Sequence, residues 1–317
     1  MHRFQNILYA CTGRGDETQG LQQALSLARH HRAALRVFLI HSPLPKGLEA
    51  YRESFHAFIS RQIDAAVQGA RATLNLGEAE VPVTVDLESS DTPPAIGVVR
   101  QVLVRGHDLV IKEAEPQEGG RGFNSTDMTL LRKCPCPVWL ARPIRRAQNE
   151  IRVAVAVSPE SRDENESYLS IKLLRIGRSL ADTFSGELDV ISCSDHSFEE
   201  FLRRNTRVEI PEESILSAAL KLQSRHDAEL RRLIEDSGID GPYRIRYLKG
   251  HPETVIPNFV ETHAVDILVM GTVARSGIVG FLIGNTAENV MGRLGCTLLA
   301  LKPDAYVSPL AELPLKP

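Results

Sequence analysis

Short apolar runs alternate along the chain with longer stretches in which apolar and charged residues repeat at helical spacing. Near the start stands Ile7-Leu8-Tyr9-Ala10-Cys11-Thr12, and past mid-chain Val153-Ala154-Val155-Ala156-Val157-Ser158. Both end in a small hydroxyl residue and a turn. His107-Asp108-Leu109-Val110-Ile111-Lys112 and Val265-Asp266-Ile267-Leu268-Val269-Met270 form a second matched pair, each after an amphipathic stretch opened by a proline, Pro94 or Pro252. The third pair is Cys136-Pro137-Val138-Trp139-Leu140-Ala141-Arg142-Pro143 and Cys296-Thr297-Leu298-Leu299-Ala300-Leu301-Lys302-Pro303. Three matched landmarks in one order identify an internal repeat.

Each copy reads as five strands alternating with four helices. In the second, strands are predicted near 151–158, 186–193, 242–249, 265–271 and 296–302. Continuous runs such as ILVM and TLLAL suit parallel strands covered on both faces. Between them, 163–182 and 212–236 carry apolar residues at helical spacing, such as Leu216, Leu220, Leu222 and Leu230 with charges interleaved. The alternation predicts α/β architecture, two tandem doubly wound five-stranded parallel-sheet domains. Residues 1–143 form the first, 144–150 a polar linker and 151–303 the second. The proline-rich tail 304–317 is expected to pack loosely.

Composition narrows the function. The 317 residues suit two domains of roughly 150 each. A net charge of −3 lacks the basic surplus of a nucleic-acid binder. No segment reaches the roughly 18–20 uninterrupted apolar residues of a membrane span, and MHRFQNILYACTG runs straight into a strand-like stretch. Cys11, Cys134, Cys136, Cys193 and Cys296 are odd in number and mostly in apolar runs, which reads as buried thiols in a reducing, cytoplasmic setting. Cys134-Pro135-Cys136 lacks zinc-knuckle spacing, and no histidine pair stands at i, i+4, so no metal site is expected.

In an open parallel sheet, ligands bind beyond the carboxyl ends of the strands, where the strand order reverses. In the second copy that edge carries Met270-Gly271-Thr272-Val273-Ala274-Arg275, then Gly284-Asn285-Thr286. Glycines there let backbone N–H groups approach an anion, and a helix starting at Asn285 points its positive end at it. Asn285 reads as the N-cap, with Glu288 reaching back, and Arg275 is placed to meet phosphate oxygens. No GxxxxGK[ST] loop, GxSxG elbow or facing carboxylate pair marks a dedicated catalyst.

The run 266–303 resembles the universal stress proteins, whose nucleotide loop reads Gly-x-x-Gly, nine residues, then Gly-Ser/Thr. Gly271 and Gly284 stand at the outer glycines, Ala274 replaces the middle one, and Asn285 with Thr286 follows the last. LLRKCPCPVW at 130–139 and GNTAENV at 284–290 extend the likeness, so that 4–303 resembles the tandem branch of that family. The resemblance implies a stress-response protein binding a small ligand, ATP (or ADP or AMP) with Mg2+, in the second domain. Met270, Gly271, Ala274, Arg275, Gly284, Asn285 and Thr286 would cradle its phosphates. The base would lie near Ser158 and Pro159, where ATP-binding members carry an aspartate. It also implies that strands 138–142 and 298–302 pair antiparallel within the chain as a pseudo-dimer, with a further homodimer left open. Slow ATP hydrolysis is the most chemistry expected, and no general base can be named.

In the first copy, Lys112 aligns with Met270, Glu113 with Gly271 and Pro116 with Ala274, while Asn124, Ser125 and Thr126 align with Gly284, Asn285 and Thr286. Its loop is two residues shorter and carries Glu113, Glu115 and Glu118. Carboxylates repel phosphate and proline offers no N–H, so no nucleotide is expected there. The alternative function draws on Ile278, Val279, Phe281, Leu282 and Ile283, which would wall an apolar cavity for a hydrophobic or lipid-precursor ligand. An enzyme of the nucleotide-α-hydrolase kind is the third reading.

Overall fold

The computed structural model describes residues 3–13, 17–115, 118–160, 164–184, 186–194, 211–272 and 283–311. The first copy runs β1 Asn6–Cys11, α1 Thr18–His31, β2 Ala34–His41, α2 Arg52–Leu74, β3 Val83–Ser89, α3 Pro94–Arg105, β4 Leu109–Glu113, α4 Ser125–Lys133 and β5 Val138–Ala141. The second runs β6 Val153–Ala156, α5 Glu164–Thr183, β7 Leu188–Ser194, α6 Glu212–Ser237, β8 Tyr243–Lys249, α7 Pro252–Thr262, β9 Ile267–Gly271, α8 Asn285–Met291 and β10 Thr297–Leu301. Local chemistry sets the helix ends. Pro94 and Pro252 supply the pre-set φ of a first turn, and Gly106 and Gly238 close α3 and α6 in the left-handed region.

All ten strands join one sheet in the order β3-β2-β1-β4-β5-β10-β9-β6-β7-β8. Neighbours are parallel within each copy. Among the described residues only β5 and β10 are antiparallel, with Leu140 opposite Leu298, Trp139 opposite Leu299 and Val138 opposite Ala300. Strand order therefore reverses twice, between β1 and β4 and between β6 and β9. Because β10 runs against β5, these two switch points lie at opposite ends of the sheet.

Helices cover both faces. One apolar core runs from Ile7, Leu25 and Ile111 through Trp139 and Leu299 to Val155, Leu174 and Leu230. The other runs from Leu8, Val99 and Leu131 through Leu140 and Leu298 to Leu268, Phe259 and Met291. Each core crosses the junction, so neither copy closes its core alone. Hydrogen bonds reinforce the seam. Arg142 N donates to Thr297 Oγ1 (3.0 Å), which donates back to Arg142 O (3.2 Å). Within the first copy, Trp139 Nε1 donates to Gln23 Oε1 (2.9 Å) and anchors β5 to α1. Gly122 has φ +75°, and a Cβ there would stand 2.8 Å from the carbonyl of Gly292, so the two copies approach too closely for any other residue.

The helix read at 212–236 is α6, and the expectation of a loosely packed tail is corrected. Leu216, Leu220 and Leu222 are exposed, and α6 packs through Ile215, Leu230, Leu233 and Ile234. The helix has 26 residues, outlasting the strand it covers, so most of its early apolar spacing finds no sheet beneath it. The tail does not pack loosely up to residue 311. Tyr306 Oη donates to Arg132 O (2.6 Å), Ser308 Oγ to Lys133 O (2.8 Å), and Leu310 is buried.

Shared cores imply one cooperative unit. Trp139 is the chain's single tryptophan, so urea unfolding followed by its emission and by far-UV circular dichroism should give coincident transitions. Leu299→Ala should lower stability by about 2–5 kcal/mol at both probes. Separate transitions would mean that the halves fold independently.

Candidate functional site

The backbone fixes how the two switch points correspond. Ala114 N donates to Ala141 O (2.8 Å) in the first copy, and Thr272 N donates to Leu301 O (2.9 Å) in the second. Lys112 therefore matches Met270, and Glu113 matches Gly271.

In the second copy β6 delivers Ser158, exposed, and Pro159, half-buried, beyond its end. β9 delivers Met270, buried, and Gly271, half-buried. Thr272 follows, fully buried, with its N–H and hydroxyl both donating to Leu301 O. Gly284 N donates to Thr272 O (2.9 Å). That bond brings the start of α8 against the end of β9 and sets Gly271, Gly284, Asn285 and Thr286 around one edge. Asn285 and Thr286 are exposed there, and their first-turn amides have no acceptor within the helix. Ala274 and Arg275, with 278–282 of the apolar run, lie outside the described residues. Ile283, the described end of that run, packs in the core.

The capping expectation is corrected. Gly284 is the N-cap (φ −63°, ψ 144°), Asn285 is the first helical residue, and no side chain caps the helix. Glu288 pairs with Arg132 of the first copy instead of reaching back. In the first copy the matched Asn124 does cap: its Oδ1 accepts from Asp127 N (2.8 Å), and Asp127 Oδ2 accepts from Asn124 N (3.3 Å). The first module caps this helix with a side chain, and the second caps it with backbone alone.

The first switch point is occupied by the chain's own charges. Lys112, buried, lies 2.9 Å from Asp127 Oδ1, also buried. Burial pushes the Asp127 carboxyl above its ordinary range, and the Lys112 ammonium pulls it the other way. Glu113 Oε2 accepts from Gly20 N (2.7 Å) in the first turn of α1. Glu17 Oε1 accepts from Thr12 N (2.8 Å), Thr12 Oγ1 (2.6 Å) and Gly13 N (2.9 Å) beyond β1. These carboxylates take up N–H and O–H donors at the end of β1 and in the first turn of α1. The residues of the second copy matched to Lys112, Glu113 and Asp127 are Met270, Gly271 and Ala287, none of them charged.

A third cluster escaped the sequence reading. Ser192 Oγ lies 3.0 Å from His226 Nε2, and His226 Nδ1 lies 3.3 Å from Glu160 Oε1. Hydroxyl, imidazole and carboxylate stand in the order of a hydrolytic relay. Ser192 and His226 are 1 % and 3 % exposed, however, so the hydroxyl is not presented to a substrate. The cluster ties α6 to the ends of β6 and β7. Its members lie 32 to 34 residues or more apart, and no local spacing signals them. Among the described residues no three His, Cys, Asp or Glu side chains are placed to hold a metal, and no helix is long and apolar enough to cross a membrane.

Two doubly wound α/β modules in tandem, joined edge to edge through their last strands, with a strand-end site altered differently in each: this is the class of protein that fold and geometry define. The family model for the universal stress protein family matches residues 3–142 and 163–302. The chain belongs to that family, as a tandem stress-response protein. It is 32% identical over 327 residues to universal stress protein E of Salmonella typhi, with 98% of each chain covered. It is 29% identical over 326 residues to that of Escherichia coli strain K12, again with 98% of each covered. Among solved structures it is similar to a functionally unknown protein from Pseudomonas aeruginosa PAO1, with TM-score 0.70, 20% identity, and 95% of this chain and 93% of that one covered. A universal stress protein from Archaeoglobus fulgidus DSM 4304 aligns with TM-score 0.55 at 13% identity, over 95% and 98% of the two chains. At these identities the solved structures show the common fold.

The buried pair of the first module makes a direct prediction. Asp127→Ala removes the buried carboxylate beside the Lys112 ammonium, leaving it the Glu113 carbonyl (2.9 Å) and the Glu115 carboxylate (3.4 Å), and should cost about 1–3 kcal/mol in urea unfolding. Adding Lys112→Met, which installs the second module's residues at both positions, should restore most of that loss. A double variant as unstable as the single would contradict the pairing.

Proposed function

We propose that this chain binds an adenine nucleotide (ATP, ADP or AMP) in its second module and uses the first as a structural partner. One contrast carries the reading. At matched positions of one fold, Lys112, Glu113 and Asp127 fill the first switch point with paired charge, while Met270, Gly271 and Ala287 leave the second without it. Family membership supplies the ligand class, because the spacing from Gly271 to Gly284 is that of the family's nucleotide loop.

In this reading the phosphates lie along Gly271, Gly284, Asn285 and Thr286, with Met270 beneath. Ala274 and Arg275, between them in sequence, contribute backbone and a cation. The adenosine side lies beyond β6, at Ser158 and Pro159. Mg2+ would enter with the phosphates, which bring its oxygen ligands. The hydrophobic-ligand alternative draws no support from Ile283, which is spent on the core.

Gly284 has a backbone conformation open to any residue, so Gly284→Val should keep the fold while its side chain blocks the edge. Isothermal titration with MgATP should show one site per chain, weakened about tenfold or more in the variant, with far-UV circular dichroism unchanged. Unchanged affinity would remove the site from this edge. No heat with ATP, ADP or AMP, and no nucleotide released on denaturing the purified protein, would overturn the reading.

A further inference from the structure

The turn between α4 and β5 holds a feature that neither the switch points nor the seam requires. Cys134 leaves α4 at φ −69°, ψ 128°, and Pro135 cannot continue the helix. The turn sets Cys134 Sγ and Cys136 Sγ on one side, 3.5 Å apart. Cys134 is buried and Cys136 half-buried. From the other module Lys302, 6 % exposed, donates from Nζ to Cys134 O (2.7 Å) and lies 4.9 Å from the centre of the Tyr306 ring.

The repeat supplies an internal control. By the parallel registers of β5 on β4 and of β10 on β9, Cys136 matches Cys296, Cys134 matches Leu294, and Lys302 matches Arg142. The second module makes the same turn with a single thiol, so packing does not demand two. The matched thiols also differ in character. Burial pushes the lone Cys296 thiol up to about 12. In the pair, the neighbouring S–H and the Lys302 ammonium outweigh burial and draw the first proton, assigned to Cys134, below the ordinary thiol range. Burial in turn pushes the Lys302 ammonium down to about 8, and the two thiols oppose that shift.

We propose that Cys134 and Cys136 form a dithiol–disulfide couple, oxidised by hydrogen peroxide or another small hydroperoxide. The Cys134 thiolate takes the Cys136 proton across their 3.5 Å contact, so that the more exposed sulfur, Cys136, meets the oxidant as the thiolate. Its sulfur attacks a peroxide oxygen, the O–O bond breaks, and hydroxide leaves and takes up a proton to become water. Cys136 is then a sulfenic acid. The Cys134 sulfur, as thiolate, attacks it, the S–S bond forms, and the second oxygen leaves as water. In total two thiols and one hydrogen peroxide become one disulfide and two waters, each sulfur giving up one electron. Lys302 holds the thiolate charge at the module junction. It directly follows Leu301, whose carbonyl receives both Thr272 bonds. The couple does not depend on what the second module binds.

The full-length reduced protein is exposed while folded to a few equivalents of hydrogen peroxide, quenched with catalase, then unfolded in urea and blocked with N-ethylmaleimide. Trypsin cuts after Lys133, and Arg142 is followed by Pro143, so one peptide carries both cysteines. That peptide should be unlabelled and two hydrogens lighter, and dithiothreitol should return it to a form taking two labels. Cys11, Cys193 and Cys296 should label fully in the same sample. Cys134→Ser should stop at a Cys136 sulfenic acid that dimedone traps. Lys302→Met should slow disulfide formation about tenfold, and Lys302→Arg, the residue the first module uses, should restore it. Full labelling of Cys134 and Cys136 after peroxide in the folded protein would overturn the couple. So would loss of the Cys296 thiol at the same rate.

Discussion

The antiparallel contact between β5 and β10 is the constraint on which the rest of the molecule depends. A five-stranded module of this fold ends in an edge strand whose N–H and C=O groups on one side lack partners. Here the last strand of each copy takes the last strand of the other. Two apolar edges become the buried centre of a ten-stranded sheet. The edges that remain, β3 and β8, carry Asp86, Glu88, Arg244, Arg246 and Lys249, which discourages further pairing. Reversal at the seam sends the switch points to opposite ends and brings the end of each module's last strand to the other module. Lys302 reaches Cys134 and Arg142 reaches Thr297 for the same geometric reason.

Duplication under this constraint lets the copies diverge. Both must keep the apolar strands that feed the shared cores, but the strand ends are free of that demand. The first module has internalised charge at its switch point. A buried Lys112–Asp127 pair contributes little net stability against an apolar replacement, so it is better understood as a filled site than as a stabilising device. Glu17 and Glu113 likewise occupy backbone donors at the end of β1 and in the first turn of α1. At the places matched to Lys112, Glu113 and Asp127 the second module carries Met270, Gly271 and Ala287.

How much the sequence disclosed follows from the range over which each feature acts. Strands, helices and the repeat were legible because burial on two faces writes continuous apolar runs, and prolines mark helix starts at Pro94 and Pro252. Strand pairing across the seam came through family resemblance, not from spacing. The α6 leucines gave the helix but not its burial, because helical spacing says which residues share a face and not whether anything covers it. The tail misled because proline content does not reveal that Tyr306 and Ser308 find the open carbonyls at the end of α4. At the site, Gly271, Gly284 and Asn285 were legible as a loop pattern. Asn285 was mistaken for the cap because Gly284 caps without a side chain. Glu17 on the amides of Thr12 and Gly13, and Ser192 with His226, were invisible because they meet through the fold.

The central claim is that one fold, used twice, keeps its strand-end site in the second module alone. Hydrogen–deuterium exchange of the full-length protein, with and without saturating MgATP, tests it most directly. Added protection should fall on 270–272 and 284–288, and not on 109–115 or 124–130. Protection at the first module's matched segments, or at neither module's, would contradict the claim.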